Sequence, residues 1–296
     1  MNAAAAADHR SGVQVSTSPS GCCAMLNYTD AITALAHDIV RRVEPLAHID
    51  LSRTLVFGRF GRTRASGAYA TCHALNMPTS EAGYFFWKDP LSGQVVKRSE
   101  WFVTCSPTVE VDGRRIDYLF SYCLPRFCDQ TLTKALKRDR YPHEPEWVAK
   151  LDTIVHELYH VDPLAPGLRQ VTTADGQPAV RHHSPEFFAH VSHCVQAYLA
   201  SRPDPALLDF LACDFDQLSR RYGGVTATTF MNFPSYPQRF HVPVSPQPPW
   251  PEAHIEPLPA PPLKTRYTRA DLTTRVFTAG ATQRVLVPAP RLAGAA

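Results

Sequence analysis

The sequence predicts an α+β fold, with an N-terminal helix, a small and mostly antiparallel sheet, and later helices in one domain. Apolar residues recur at spacings of three and four over residues 28–48, 146–161 and 184–200, as they do in helices that bury one face. Residues 54–123 instead carry short runs of β-branched and aromatic residues between turn sequences, which are typical of strands. With 44% hydrophobic and 19% charged residues in a chain of 296, the protein can bury a sizeable core.

The predicted helices have recognisable ends. Pro145 precedes the 146–161 helix, a position where a missing backbone N–H is tolerated. Ser184 is a favourable N-cap for the third helix. A further helix is predicted over about 205–221, and it should end at Gly223 because glycine readily adopts the left-handed backbone at a helix C-terminus.

The strand region is predicted to contain several hairpins. Asp112-Gly113 is a strong two-residue turn signal, and a Pro-Leu-Ser-Gly turn over 90–93 separates another pair of short strands. Short connections of this kind favour antiparallel pairing between neighbours. The predicted strands lie at 54–60, 69–75, 84–87, 94–97, 101–105, 109–116 (a hairpin), 116–123 and 225–230.

Composition divides the chain into three parts. Residues 1–27 are rich in Ala, Ser and Thr without periodicity, and we expect them to form a flexible leader. Residues 28–235 hold the predicted helices and strands and form the domain. In the tail, residues 236–296, nine of the twenty residues from 243 to 262 are proline. We therefore expect a Pro-rich, disordered tail, whose composition is compatible with binding a protein partner.

The charge distribution argues against a nucleic-acid-binding surface. The net charge is +3, and all of the excess lies in residues 252–296, so the body of the chain is neutral and lacks the basic face that nucleic acids bind. No apolar stretch reaches the ~20 residues that span a bilayer, and the alanine run near the start lacks the basic flank of a secretory signal. We expect a cytoplasmic protein without a membrane partner, whose eight cysteines stay reduced.

One segment has the spacing of a metal site. His156-Glu157-Leu158-Tyr159-His160 matches H-E-x-x-H inside a predicted helix. Residues four apart share one helix face, so both imidazoles can reach one cation, and two nitrogen ligands suit zinc. Glu157 lies beside them, where it can take a proton from metal-bound water. The segment therefore predicts a zinc-dependent hydrolase with Glu157 as general base.

A hydrolytic zinc site uses three protein ligands and leaves one position for water, so a third ligand must come from elsewhere. The candidates are Asp162, His182, His183 and Glu186. Asp162 is too close along the chain to swing back and is expected to end the helix. We favour His183, because it precedes the cap of the next helix and Phe187 would anchor that helix in the core. His182 and Glu186 stay open as alternatives.

These features resemble the SprT-like (Spartan-type) zinc metallopeptidases and the related phage-type metallopeptidases. The resemblance covers roughly residues 28–201 and rests on the element order, on the H-E-x-x-H segment, and on a later histidine followed four residues on by an aromatic, here His183 and Phe187. It implies a zincin-like minimal metallopeptidase domain. Residue by residue, it implies the zinc ligands His156, His160 and His183 and the general base Glu157.

The leading hypothesis is a zinc metallopeptidase that hydrolyses peptide bonds in a protein or peptide substrate. Glu157 would act as base towards water and then as acid towards the leaving amine. Two alternatives stay open: a zinc-stabilised scaffold or partner-binding protein without turnover, and a metal hydrolase of a non-peptide bond. The chain lacks the paired cysteines of a C-terminal zinc ribbon, so the crosslink-repair role known in the resembling family is not implied.

Overall fold

The fold is that of a computed structural model, which describes residues 25–63, 66–170, 183–232, 236–245, 264–278 and 286–287. It is a mixed α+β arrangement, as the sequence predicts. Of the leader expected at residues 1–27, residues 1–24 lie outside the described ranges. Residues 26–27 form a short strand, so the expected leader is too long at its C-terminal end.

The described residues contain four α-helices, α1 (Tyr28–Arg42), α2 (Val148–Tyr159), α3 (Pro185–Ala200) and α4 (Phe215–Tyr222). The described strands are β1 (Leu26–Asn27), β2 (Thr54–Gly61), β3 (Ala70–Ala74), β4 (Phe86–Lys88), β5 (Val95–Arg98), β6 (Phe102–Cys105), β7 (Thr108–Val111), β8 (Arg114–Arg115), β9 (Tyr118–Pro125), β10 (Val225–Phe230), β11 (Phe240–Pro243), β12 (Arg266–Thr268), β13 (Leu272–Phe277) and β14 (Leu286–Val287). None of the helices within these ranges has both the length and the apolarity needed to cross a membrane.

The described strands form five small sheets, where the sequence predicts one. Their orders are β1-β10-β13-β14, β2-β9-β3, β12-β7-β8, β11-β6 and β4-β5. Several strands are only two to four residues long, and hairpin strands such as β4 and β5 pair with their chain neighbour instead of extending a larger ladder.

The sheet around β9 carries the core. All eight residues of β9 are buried, and the strand pairs parallel with β2 and antiparallel with β3. Strands that are covered on both faces have continuous apolar sequences, which the segment Tyr118–Pro125 shows. Helix α1 lies against β2, and α2 lies against β3 and α3. Because β9 is central, β3 is an edge strand of this sheet.

Two helices differ from their predicted extents. The helix predicted over 28–48 ends at Arg42 and continues as a 3-10 turn over Glu44–Leu46, because Pro45 lacks an N–H and disfavours helical backbone before it. The helix predicted over 205–221 is divided into 3-10 turns and α4.

The division of that helix follows from its caps. Asp204 starts the first 3-10 turn, and Asp214 starts α4 with a capping box to Gln217. Gly223 has φ of 68° at the end of α4, so the predicted glycine stop is confirmed.

Part of the segment 236–296 is ordered, which corrects the expectation of a disordered tail. β13 pairs antiparallel with β10 over six residues, β12 pairs with β7, and β11 pairs with β6. Residues 264–278 contain no proline. The expectation of disorder came from the proline content of residues 243–262, which does not extend to this segment. The Pro-rich residues 246–263 lie outside the described ranges.

Phe277→Ala should destabilise the fold, because Phe277 is 7% exposed in the main core and lies beside Gly58. A Phe-to-Ala change in a core costs about 3–5 kcal/mol. Val242→Ala is the matched control, since Val242 belongs to the same C-terminal region but is 38% exposed, and exposed substitutions change stability by about 0.5 kcal/mol or less. Urea unfolding of the full chain measures both variants. Equal stabilities would contradict a structural role for β13.

Candidate metal centre

The rest of the protein covers the surface of helix α2 except at His156. Eleven of its twelve residues are buried, and His156 is the exception. His160 follows as the C-cap residue and is 7% exposed. Because a helix that is packed on nearly all sides cannot rotate, the core fixes the directions of both imidazoles.

A third imidazole comes from the start of α3. Ser184 is the N-cap, and its hydroxyl accepts a hydrogen bond from the backbone N–H of Phe187 at 3.2 Å. Pro185 occupies the first position of the helix. The cap determines where α3 begins, and it therefore determines the position of His183 immediately before it.

The Nε2 atoms of the three histidines form a nearly equilateral triangle. The separations are 3.1 Å from His156 to His183, 3.2 Å from His156 to His160, and 3.0 Å from His160 to His183. Zinc–imidazole bonds are about 2.0–2.1 Å long, so the ligands of a tetrahedral zinc ion lie about 3.3 Å apart. Within the described ranges, these three residues form the one such group of potential metal ligands.

The chemistry of the triangle also fits a cation. Each Nε2 atom is either an N–H donor or a lone-pair acceptor, so three of them cannot all satisfy one another. A cation held by His156, His160 and His183 would accept all three lone pairs. The residues present therefore fit a metal ion that takes nitrogen ligands.

Two phenylalanine rings of α3 pack against the histidine rings. The centroid of Phe187 lies 4.9–5.2 Å from the centroids of all three imidazoles. Phe188 stacks on His183 at 5.6 Å and an interplanar angle of 19°, and the guanidinium carbon of Arg140 lies 4.5 Å from the Phe188 centroid. The first turn of α3 thus supplies the aromatic surface that orients the imidazoles, and the residue before its cap supplies one of them.

Glu157 lies next to the triangle and is 6% exposed. Burial raises the pKa of its carboxyl to about 8, while the backbone N–H of Cys72 and the charges of Lys137 and Arg59 act in the opposite direction. Positive charge at the three histidines would also favour the ionised carboxylate. Burial and a bound cation would therefore act on the pKa of Glu157 in opposite directions.

His156 is suited to bind a cation in its neutral form. Burial, together with the charges of His160 and His183, lowers the pKa of His156 to about 2. The imidazole is therefore neutral at physiological pH, and neutral imidazole is the form that ligates metals.

The triangle lies at a cleft of about 400 Å³ between α2 and the edge strand β3. Residues 68–72 form one wall, mostly with small side chains, and Leu168 and Phe188 add apolar surface. His156, Glu157, His160 and His183 all line this cleft. A ligand in the cleft would lie between the triangle and the edge of the sheet.

The cleft also contains a polar group that the sequence did not indicate. The ammonium group of Lys137 donates to the hydroxyl of Thr153 at 2.7 Å and pairs with the carboxylate of Asp152. The amide of Gln130 donates to the same hydroxyl at 2.9 Å. These residues come from separate parts of the chain and share no local spacing, so no pattern in the sequence could have grouped them.

The other predicted ligand candidates have different positions. The carboxylate of Asp162 accepts hydrogen bonds from the N–H groups of Leu164 and Ala165, so it shapes the turn after α2, in line with its predicted role at the helix end. Glu186 lies in the first turn of α3 and is not part of the triangle. His182 lies outside the described residues. Of the described candidates, the structure brings His183 to the other two histidines.

His183→Ala should lower zinc affinity by more than about 100-fold, because loss of a direct ligand exceeds the 10–100-fold effect of outer-sphere changes. His193→Ala is the matched control, since His193 is an exposed histidine on α3 outside the triangle. Metal analysis after dialysis, followed by competition with a chromophoric chelator, measures both. Equal zinc affinity in the two variants would remove His183 from the site.

Comparison of the chain with family models, with curated proteins and with solved structures finds no match. The resemblance to SprT-like metallopeptidases therefore stays a prediction from the quoted residues.

Proposed function

We propose that this protein is a zinc-dependent hydrolase that cleaves peptide bonds. One observation carries the proposal: three histidine Nε2 atoms lie within 3.2 Å of one another, at a cleft that the Glu157 side chain also lines. Three protein ligands and an adjacent proton acceptor are the composition of hydrolytic zinc sites.

The donor set supports zinc over harder cations. Three imidazole nitrogens suit zinc, copper, iron and nickel, whereas magnesium and calcium prefer oxygen ligands. The Nε2–Nε2 separations of 3.0–3.2 Å are close to those between the ligands of a tetrahedral zinc ion. The element order of helix, strands, α2 and α3 also supports a zincin-like arrangement, because it is the order that the resemblance implies.

A divalent ion on the three histidines would acidify a coordinated water and polarise a carbonyl oxygen. The carboxylate of Glu157 would accept a proton from the attacking water and then donate it to the nitrogen of the leaving amine. His156, neutral and held against Phe187, would keep its lone pair directed at the cation. The buried position of Glu157 would keep bulk water from competing for its proton.

The edge strand β3 supports a peptide as the substrate. The carbonyl of Tyr69 and the N–H of Leu75 bond to the β9 side, so residues 70, 72 and 74 direct their backbone groups to the other edge. The backbone N–H of Cys72 donates a hydrogen bond to the carboxyl group of Glu157. An extended chain beside β3 would meet the remaining backbone groups, which is a common mode of peptide recognition.

Glu157→Gln should abolish hydrolysis while zinc stays bound, because the amide retains the shape of the side chain but cannot accept the proton. General acid–base catalysis contributes about 10²–10⁴-fold, so kcat should fall by at least that range. Glu186→Gln is the matched control, since Glu186 lies on α3 outside the triangle. A quenched fluorescent peptide library measures activity, and metal analysis of the same samples measures occupancy.

Other outcomes of that experiment separate the competing functions. Unchanged peptide hydrolysis by a zinc-loaded Glu157→Gln protein would falsify the mechanism. Hydrolysis of esters or phosphate esters by the wild-type protein, without peptide cleavage, would replace the peptidase by a hydrolase of another bond. A zinc-loaded wild-type protein that turns over none of these substrates would favour the scaffold hypothesis.

A further inference from the structure

Exposed apolar side chains are concentrated on one hairpin. We define the aromatic hairpin as residues 84–98, which include β4, β5 and their turn. Of the eleven large apolar side chains that are exposed in the described part of the chain, six belong to this hairpin. They are Tyr84, Phe85, Phe86, Trp87, Leu91 and Val96. Single exposed apolar residues are ordinary, but six of them on one fifteen-residue hairpin mark a binding surface.

The exposed rings of the aromatic hairpin are held in place by cations. The ammonium group of Lys88 lies 5.4 Å from the centroid of Phe86, and that of Lys97 lies 5.5 Å from the centroid of Trp87. Such contacts contribute about 0.5–1 kcal/mol at exposed sites. The rings therefore have preferred positions before any partner binds, which lowers the entropy cost of binding.

The charges around the aromatic hairpin favour an apolar partner over a nucleic acid. The aromatic hairpin carries three basic side chains and one acidic one, and Glu81 and Glu100 flank it, so the charges of residues 81–100 balance. Nucleic-acid surfaces gain most of their affinity from an excess of cations. A surface of aromatic rings without a large excess of positive charge instead suits apolar and aromatic side chains. The two short strands also leave backbone groups at their edges for an extended chain.

The aromatic hairpin is connected directly to the cleft of the metal centre. Nine residues, 75–83, link the edge strand β3 to the hairpin. In this link, the Cγ of Met77 lies 3.5 Å from where a Cβ on Gly167 would stand, and the next residue, Leu168, lines the cleft. The link therefore packs against the loop that borders the cleft.

A clamp fixes the base of the hairpin. The guanidinium of Arg239 donates to the carbonyl oxygens of Pro78 and Thr104 at 2.8 and 2.7 Å. Charge-assisted bonds of this kind are stronger than neutral ones. The hairpin therefore extends from a fixed base, and nine residues of the chain separate it from the edge strand β3.

We propose that the aromatic hairpin binds an extended apolar segment of the polypeptide whose bond is cleaved in the cleft. The inference rests on the proposed peptidase function. Apolar and aromatic side chains are mostly buried in folded proteins, so an extended segment rich in them is available in non-native polypeptides. The substrate class is therefore unfolded or partly unfolded protein, selected by the hairpin outside the metal centre.

Binding can be measured without turnover in the full-length, zinc-loaded Glu157→Gln protein. The probe is a fluorescein-labelled extended peptide that alternates Phe or Leu with Ser, followed by fluorescence anisotropy. Phe86→Ser combined with Trp87→Ser should raise its Kd at least 10-fold. Leu136→Ser combined with Leu164→Ser is the matched control, because those residues are 87% and 94% exposed but lie outside the hairpin. The control should leave Kd unchanged.

The same pairs of substitutions, made with Glu157 intact, connect binding to activity. The hairpin variant should raise KM for a reduced, denatured protein at least 10-fold and leave kcat/KM for a short peptide unchanged. Circular dichroism checks that both variants are folded, which their exposure predicts.

Several outcomes overturn the proposal. Equal Kd values for the hairpin variant and its control would do so. A hairpin variant that keeps peptide binding but loses binding to neutral phosphatidylcholine vesicles, to single-stranded DNA or to a second copy of the chain would assign the hairpin another partner. Peptide binding through the hairpin without any hydrolysis by the wild-type protein would support the binding surface and overturn the peptidase function, so the two proposals fail separately.

Discussion

The burial of α2 is the constraint on which the candidate site depends. The helix lies against β3 and α3, and eleven of its twelve residues are buried. Each residue advances the helix by about 100°, since a turn contains 3.6 residues, so any rotation would expose apolar surface to the cleft and bury His156. The hydrophobic effect that stabilises the core therefore also directs two imidazoles and one carboxyl towards the same cleft.

Polar residues of α2 add a second restraint on the helix. The buried ammonium group of Lys150 donates to the carbonyl oxygens of Leu211 and Cys213 at 2.8 and 2.6 Å. The buried carboxylate of Asp152 accepts a hydrogen bond from the hydroxyl of Tyr141 at 2.7 Å. A buried polar group without partners costs several kcal/mol, so these bonds penalise any shift of α2.

Local signals predicted the parts of the structure that depend on neighbouring residues. The four-residue spacing of His156 and His160 fixes a shared helix face, and the Ser184 cap gives the start of α3 to the residue. Contacts between residues that are far apart in the chain have no local sequence pattern that predicts them. β13 pairs with β10 across some forty residues, and the position of His183 depends on how α3 packs against α2. The sequence also did not predict the exposure of the aromatic hairpin, because strands rich in aromatic residues are usually half-buried.

The lining of the cleft bears on how such a site would choose its substrate. The wall at the start of β3 is formed by residues 68–72, most of which have small side chains. A wall of this kind would contact the backbone of an extended chain, which contributes affinity, whereas specificity comes from pockets for side chains. The cleft would therefore discriminate little between the side chains of different substrates. Under the proposed function, selection would then depend on a surface beyond the cleft, such as the aromatic hairpin, which follows β3 after a link of nine residues.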